Sequence, residues 1–441
     1  MYLTTSFNHV SKAMATVVLI SNARVEAKSS PLFNVIPTNS SSPIVPLSTQ
    51  LNAHSCRKIS NQIGRIIKNF NIKCANPQTK KCEKLIDRLH DTIHLNDANC
   101  AQPADESKHV LPHISATSLK AHLAFIASDA LQGRKIETPG IELAADYIAA
   151  EFRSAGLKPL GVNKSYFQNT TFARNFYSEG KLKSRNVLGL LPGSDLAETY
   201  VIVSAHYDHL GIIENSDSHT SNKNEGGDQI FNGANDNGSG TVALLQLASS
   251  LSNLKEPPRR SIIFAAFTGE ENGLGGSGYY EDHPLVPLNK TVAVLNIEQI
   301  GRTDDVEDGL QIKRATLTGF DYSELGTIMQ AAGNETGVTV YKHPTKSDEY
   351  FSSSDNKYFA YHAIPSHTIA VTFEFSDYHG IGDSWEKIDY YNMEHIVQTI
   401  GRGLLHIANN ASVPQWNSTS PKAQYYVEFA KKYHPQLFNN F

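Results

Sequence analysis

Cysteine is scarce in this 441-residue chain: there are four, at 56, 74, 82 and 100, and none beyond. More than three quarters of the sequence therefore has no thiol to act as a nucleophile or a thiolate metal ligand. Long apolar runs are missing too. The longest near either end, Ala13 to Ile20, has eight residues, against the ~20 needed to cross a bilayer, so no membrane span is expected. Positive charge is not in excess: 39 Lys+Arg against 44 Asp+Glu leave a net charge of −5, which argues against a nucleic-acid partner. No G-x-S-x-G elbow and no H-E-x-x-H helix occurs, so neither a serine hydrolase nor a helix-borne metalloprotease is supported. What remains, with 40% apolar residues, is a folded globular composition and a length that suits two to three domains of roughly 150 residues.

The first third divides by composition. Residues 1–27 resemble a secretory signal, with Lys12 ahead of the apolar run and small residues at Ser21 and Ala23. Residues 28–55 are rich in Ser, Asn, Thr and Pro without a sustained period, as expected of a linker. In residues 56–100, Ile59, Ile63, Ile66, Ile67 and Phe70 recur at helical intervals, as do Leu85, Leu89, Ile93 and Leu95, about an Asn76-Pro77 turn. Two antiparallel helices would set Cys56 beside Cys100 and Cys74 beside Cys82. Four cysteines allow three connectivities, and this one staples both ends of the hairpin. Two disulfides, hence an oxidising, extracytoplasmic compartment, are expected. A four-cysteine zinc site is disfavoured because paired C-x2-C knuckles are absent.

From 113 to 410 the pattern alternates. Ser118 to Ser128, Gly140 to Ala155, Thr241 to Leu251, Tyr322 to Ala332 and Asn392 to Ala408 read as amphipathic helices. Val187 to Leu191, Tyr200 to Ala205, Ile262 to Phe267, Val292 to Ile297 and Thr368 to Phe373 read as buried strands. The expected class is α/β, with a mixed, mostly parallel central sheet flanked by helices. Residues 411–441 form an aromatic C-terminal tail without a chemical motif.

In open sheets of this kind, ligands bind beyond the carboxyl ends of the strands. There the sequence places His206-Tyr207-Asp208-His209, then Asp236, then Glu270-Glu271, then Glu298 and finally His379. Any one of these alone would be an ordinary surface group; together they form a donor set. Nitrogen and carboxylate ligands without thiolate suit a pair of zinc ions sharing one carboxylate and a water. Adjacent Glu270 and Glu271 would point to opposite sides if the chain is extended there, so that one binds metal while the other meets the attacking water. His206 and Asp208 would share a face, with Asp208 fixing the orientation of the imidazole.

The segments His206-Tyr207-Asp208-His209-Leu210-Gly211, Asn232 to Gly240, Thr268-Gly269-Glu270-Glu271-Asn272-Gly273 and Asn296-Ile297-Glu298-Gln299-Ile300-Gly301-Arg302 resemble successive motifs of the zinc aminopeptidases of peptidase family M28. So do Ser354-Asp355-Asn356, Ala363-Ile364-Pro365 and Asp377-Tyr378-His379, with Asp383 and Asp389 beyond. The resemblance implies a co-catalytic peptidase with two zinc ions and peptide substrates. One ion would be held by Asp236, Glu271 and His379, the other by His206, Asp236 and Glu298. Glu270 would be the general base and acid, and Asp208 the partner of His206. Two positions depart from the family pattern: Glu298 stands where Asp is usual, and Asn356 where His commonly follows Ser-Asp.

Three other readings stand beside this one. Gly273 to Gly278 spells G-x-G-x-x-G, but Thr268 to Asn272 separates it from its strand and the other clusters would go unexplained. A glutaminyl-cyclase-like acyltransferase would share the fold and much of the ligand set. An inactive binding protein on the same scaffold would be expected to lack a ligand or the base, and none is missing here. An amino-terminal specificity is favoured because a substrate carboxylate would call for Arg, and the motifs adjoin only Arg302.

Overall fold

The computed structural model describes residues 111–173, 180–213 and 228–438, besides two isolated helical positions at 62 and 65. The expected signal segment, linker and stapled hairpin lie outside the described residues. The chain divides into two units, Met1–Gln102 and Pro103–Phe441, and the second is the one whose architecture follows.

Its apolar runs form a sheet of nine strands: β1 (Lys158–Pro159), β2 (Phe167–Ala173), β3 (Lys181–Leu191), β4 (Leu196–His206), β5 (Arg260–Phe267), β6 (Thr291–Ile297), β7 (Arg314–Leu317), β8 (Thr339–Tyr341) and β9 (Ser366–Ala370). Their order is β1-β3-β5-β4-β6-β9-β7-β8, with β2 also pairing β3. The middle four strands, β5, β4, β6 and β9, are mutually parallel. Antiparallel pairing enters at the flanks, between β3 and β5, between β7 and β9, and where β1 and β2 meet β3. This is the mixed sheet with a parallel centre that the β-branched runs imply. Every residue of β5 is buried, as is required of a strand covered on both faces.

Helices α1 (Ala116–Ile126), α2 (Pro139–Ser154), α3 (Gly240–Ser252), α4 (Gly275–Asp282), α5 (Leu325–Thr336), α6 (Asn356–Tyr361), α7 (Tyr390–Asn409) and α8 (Pro421–Tyr433) cover the sheet. Their starts follow local chemistry. Ser115 caps α1 by accepting from the Ser118 amide, Asp389 caps α7 by accepting from Asn392, and Ser420 caps α8, whose first residue is a proline. The core beneath α4 and α6 joins Ile202, Ile263, Phe267, Tyr280, Val294 and Phe359. Residues 411–438 are not a loose appendage: Ala423 and Tyr426 of α8 pack with Tyr322, Phe351 and Ala360, and Trp416 joins them.

Candidate active site

Because β5, β4 and β6 run parallel, their carboxyl ends share one edge. His206 is the last residue of β4 and lies opposite Phe267 of β5, while Ser204 lies opposite Asn296 of β6. Glu298, one residue past β6, therefore stands level with His206 on one side. Glu270 and Glu271 stand just past β5 on the other. The turn Ala234–Ser239, leading into α3, brings Asp236 over the end of β4, and His379 arrives from the loop after β9.

These side chains converge. The Nε2 of His206 lies 3.4 Å from Asp236 Oδ1 and 3.6 Å from Glu298 Oε1. The Nε2 of His379 lies 3.2 Å from Asp236 Oδ2 and 3.3 Å from Glu271 Oε2. The two oxygens of Asp236 thus face two separate triads. Donors at about 2.0–2.1 Å around a tetrahedral zinc would stand roughly 3.3–3.4 Å apart, and the four histidine-to-carboxylate distances fall near that value; the nitrogen and oxygen atoms suit the same ion. Glu270 lines a cavity of about 130 Å³ with His206, Asp236 and Glu298, and Tyr350, Phe373, Glu374 and Tyr378 form another part of its wall. None of the described lining residues is Arg or Lys.

The buried carboxyls and imidazoles of the site perturb one another. Burial, reinforced by Glu298, Glu271 and Asp355 and opposed by His206, holds the Glu270 carboxyl well above its ordinary range. Burial also pushes Glu298 up to about 7, against His206 and the Ser354 hydroxyl that touches it. Burial would raise Glu271 as well, but His209 and His379 prevail and bring it down to about 2. Asp236 is lowered because His206 and His379 outweigh its burial. Both histidines are raised: burial would lower His379, yet Asp236 and Glu271 carry it to about 10, and Asp208 and Asp236 overcome the burial of His206.

The supporting residues were less visible in the sequence. Asp208 lies 3.7 Å from His206 Nδ1, too far for a hydrogen bond, and the ring contacts the Asp208 carbonyl oxygen at 3.3 Å instead. Its carboxylate accepts from the amides of Glu270 and Glu271 at 3.2 and 3.3 Å, so it anchors the loop that bears them. That loop is a turn, not extended strand: Gly269 has φ +74°, Gly273 donates to the Glu270 carbonyl, and the two glutamates diverge for that reason. His209 donates from Nδ1 to Glu271 Oε1 at 2.8 Å and so orients that carboxylate. Asp383 receives the amides of Asn235 and Asp236 at 2.9–3.0 Å. Gly233 is held at φ +55°, where a Cβ would meet the Asp236 carbonyl at 2.3 Å and the His209 ring at 2.5 Å, so only glycine fits. Asn356, one of the two departures, is buried away from the cavity. It donates to the Phe351 carbonyl at 2.7 Å and accepts from Thr368 at 2.9 Å, tying the turn ahead of α6 to β9.

The model of peptidase family M28 matches residues 186–403. A probable zinc metalloprotease of Leptosphaeria maculans is 32% identical over 207 residues, covering 45% of this chain and 44% of the relative. A probable glutamate carboxypeptidase of Zea mays is 28% identical over 290 residues, covering 61% of this chain and 36% of the relative. The chain spans less than half the length of these curated relatives. Among solved structures, a zinc aminopeptidase from Bacillus subtilis shares the fold with a TM-score of 0.51 at 16% identity, over 67% of this chain and 95% of that one. A glutaminyl cyclase from Bacteroides thetaiotaomicron does so equally, at 0.51 and 18% over 68% and 100%, so fold alone does not separate the two chemistries. The segment that matches peptidase family M28, residues 186–403, carries His206, Asp236, Glu270, Glu271, Glu298 and His379.

Proposed function

We propose that this protein is an aminopeptidase that holds two zinc ions per chain and removes amino-terminal residues from peptides. The observation that carries the reading is Asp236, whose two carboxylate oxygens each lie beside a histidine that also stands next to a glutamate. Asp236, Glu271 and His379 would hold one ion, and His206, Asp236 and Glu298 the other. When bound, such cations supply the positive charge that activates water and polarises a peptide carbonyl.

The chain's own residues account for the rest. Glu270 sits in the cavity with its carboxyl raised by burial and by neighbouring carboxylates. It takes a proton from water as the oxygen adds to the carbonyl carbon, and returns one to the amine nitrogen as the C–N bond breaks. Asp208 holds the amides of Glu270 and Glu271, and His209 fixes Glu271, so the base and the ligand keep their relative positions. Glu374 and Glu270 on the wall suit a free ammonium group.

A carboxypeptidase reading is favoured by the Zea mays relative. It would need a cation for the substrate carboxylate, whereas Arg302 is occupied by Asp304 at 2.5 Å and Asp377 at 2.9 Å. The test uses aminoacyl nitroanilides, an N-acylated peptide with a free C-terminus and a peptide beginning with glutamine. Hydrolysis of the first, lost to a chelator and restored by zinc, is expected. Cleavage of the second would favour the carboxypeptidase, and loss of ammonia from the third without hydrolysis the cyclase. Glu270→Gln should cost about 10²–10⁴ in kcat; an unchanged rate would remove Glu270 from the mechanism.

A further inference from the structure

On the far side of α4 and α6 from their cavity ends stands a second group of metal-ligating atoms, sharing no residue with the site above. Glu281 lies in the last turn of α4, His362 directly follows α6, and His434 directly follows α8. Their donor atoms all lie within 4.8 Å of one another. His362 Nε2 is 2.9 Å from Glu281 Oε1, with the two side chains only 7% and 14% exposed. The rings of His362 and His434 lie 3.9 Å apart between centroids and are inclined at 38°.

The hydrogen bonding of His362 sets its tautomer. Its Nδ1 is 3.1 Å from the carbonyl oxygen of Tyr358, an acceptor only, so Nδ1 carries a proton and donates. Nε2 then presents a lone pair toward the Glu281 carboxylate unless a cation stands between them. A proton could fill that place, giving a plain ion pair, but it leaves the second imidazole turned toward the same carboxylate without a use. A divalent cation uses all three donors. A ligating histidine whose other ring nitrogen donates to a backbone carbonyl is also the usual arrangement around such ions.

We infer that Glu281, His362 and His434 form a structural site for a divalent transition ion of the zinc type. Two imidazole nitrogens and one carboxylate oxygen, with water in the fourth position, suit zinc and exclude calcium or magnesium, which want oxygen throughout. Closing the donors from within 4.8 Å to the roughly 3.3 Å of a tetrahedral edge asks for a shift of about 1.5 Å. That lies within reach of His434, at the end of a helix. The consequence is mechanical. The loop before α4 carries Glu270 and Glu271, and Ser354 just before α6 touches Glu298. Ser277 of α4 and Asp355 at the start of α6 already share a 2.5 Å hydrogen bond. A cation at the opposite ends of these helices pins them to each other and to α8.

The test is made on the full chain with zinc itself. Anomalous diffraction at the zinc edge from wild-type crystals should show a peak among these three side chains. Equilibrium dialysis at buffered micromolar free zinc should find one ion per chain fewer in His434→Gln and in His362→Gln than in wild type. That difference is expected whatever the Asp236 triads hold, so it stands or falls independently of the proposed activity. An anomalous map with density absent there, or equal zinc content in wild type and both variants, overturns the site and leaves Glu281 and His362 a plain ion pair.

Discussion

The guanidinium of Arg134 is fully buried and donates to the carbonyl oxygens of Tyr207, Ile126, Asn232 and Gly233 at 2.7–2.9 Å. Burial brings its pKa down to about 10 against the pull of Asp383, Asp208, Asp236 and Glu271, so it stays charged at neutral pH. It therefore ties the end of β4 to the turn that carries Asp236 and places a fixed positive charge beneath several carboxylates. Arg134→Met would strand four buried carbonyl groups and remove that charge, and should cost about 3–5 kcal/mol of stability. Urea unfolding with an unchanged slope would measure it; a loss below about 1 kcal/mol would show that the carbonyls find other partners. Arg134→Lys should not restore the loss, because an ammonium has three donors and no planar fork. Nothing in the local sequence marks this arginine. Its partners come from residues 126, 207, 232 and 233, and only the folded chain brings them together.

Elements were legible in proportion to how far their own residues decide them. The strands at the middle of the sheet, buried on both faces, are continuous apolar runs, and β4, β5 and β6 lie within a few residues of their expected limits. The apolar run Thr368 to Phe373 outlasts its strand: β9 ends at Ala370, after which the chain turns toward Gln299 and Asp305. Flanking β2, β7 and β8 are short or alternate polar with apolar, and depend on their neighbours for definition. Helix α4 is hidden in the sequence because Gly275-Gly276-Ser277-Gly278 has the composition of a loop; Gly276 is required by the approach of the Thr268 carbonyl, 2.2 Å from where its Cβ would be. Helix α8 has aromatic residues at no clear period, and its docking comes from Tyr426 stacking on Trp416 at 5.9 Å. The hairpin expected of residues 56–100 makes its own prediction. Denatured, unreduced protein should show no titratable thiol and should yield peptides linked Cys56 to Cys100 and Cys74 to Cys82. Four thiols before reduction would rule out the pairing and, with it, the extracytoplasmic location proposed from it.

At the scale of the whole molecule, parallel strands gather the carboxyl ends at one edge, and this is why residues spread from 206 to 379 are legible in the sequence as one site. The residues that hold the site in shape could not be read so, since their partners lie across the sheet. His367 in β9 is one such residue with a global consequence. It donates from Nδ1 to the Thr318 carbonyl at 2.7 Å and accepts at Nε2 from the Ser323 hydroxyl at 2.6 Å. Burial lowers its pKa to about 4, against the opposing Thr318 hydrogen bond, whereas the unfolded chain protonates it near 6.5. The native state accordingly binds fewer protons than the unfolded state between these values, and stability falls as pH falls. The contribution is fully present above about 6.5, declines through that window and is exhausted below about 4, amounting to roughly 3 kcal/mol. Urea unfolding from pH 7.5 to 4 should therefore give a shallower loss of stability in His367→Gln than in wild type, though the variant starts lower at neutral pH. Parallel curves for the two proteins would mean that the imidazole finds a proton inside the fold, and that acid destabilises the molecule elsewhere.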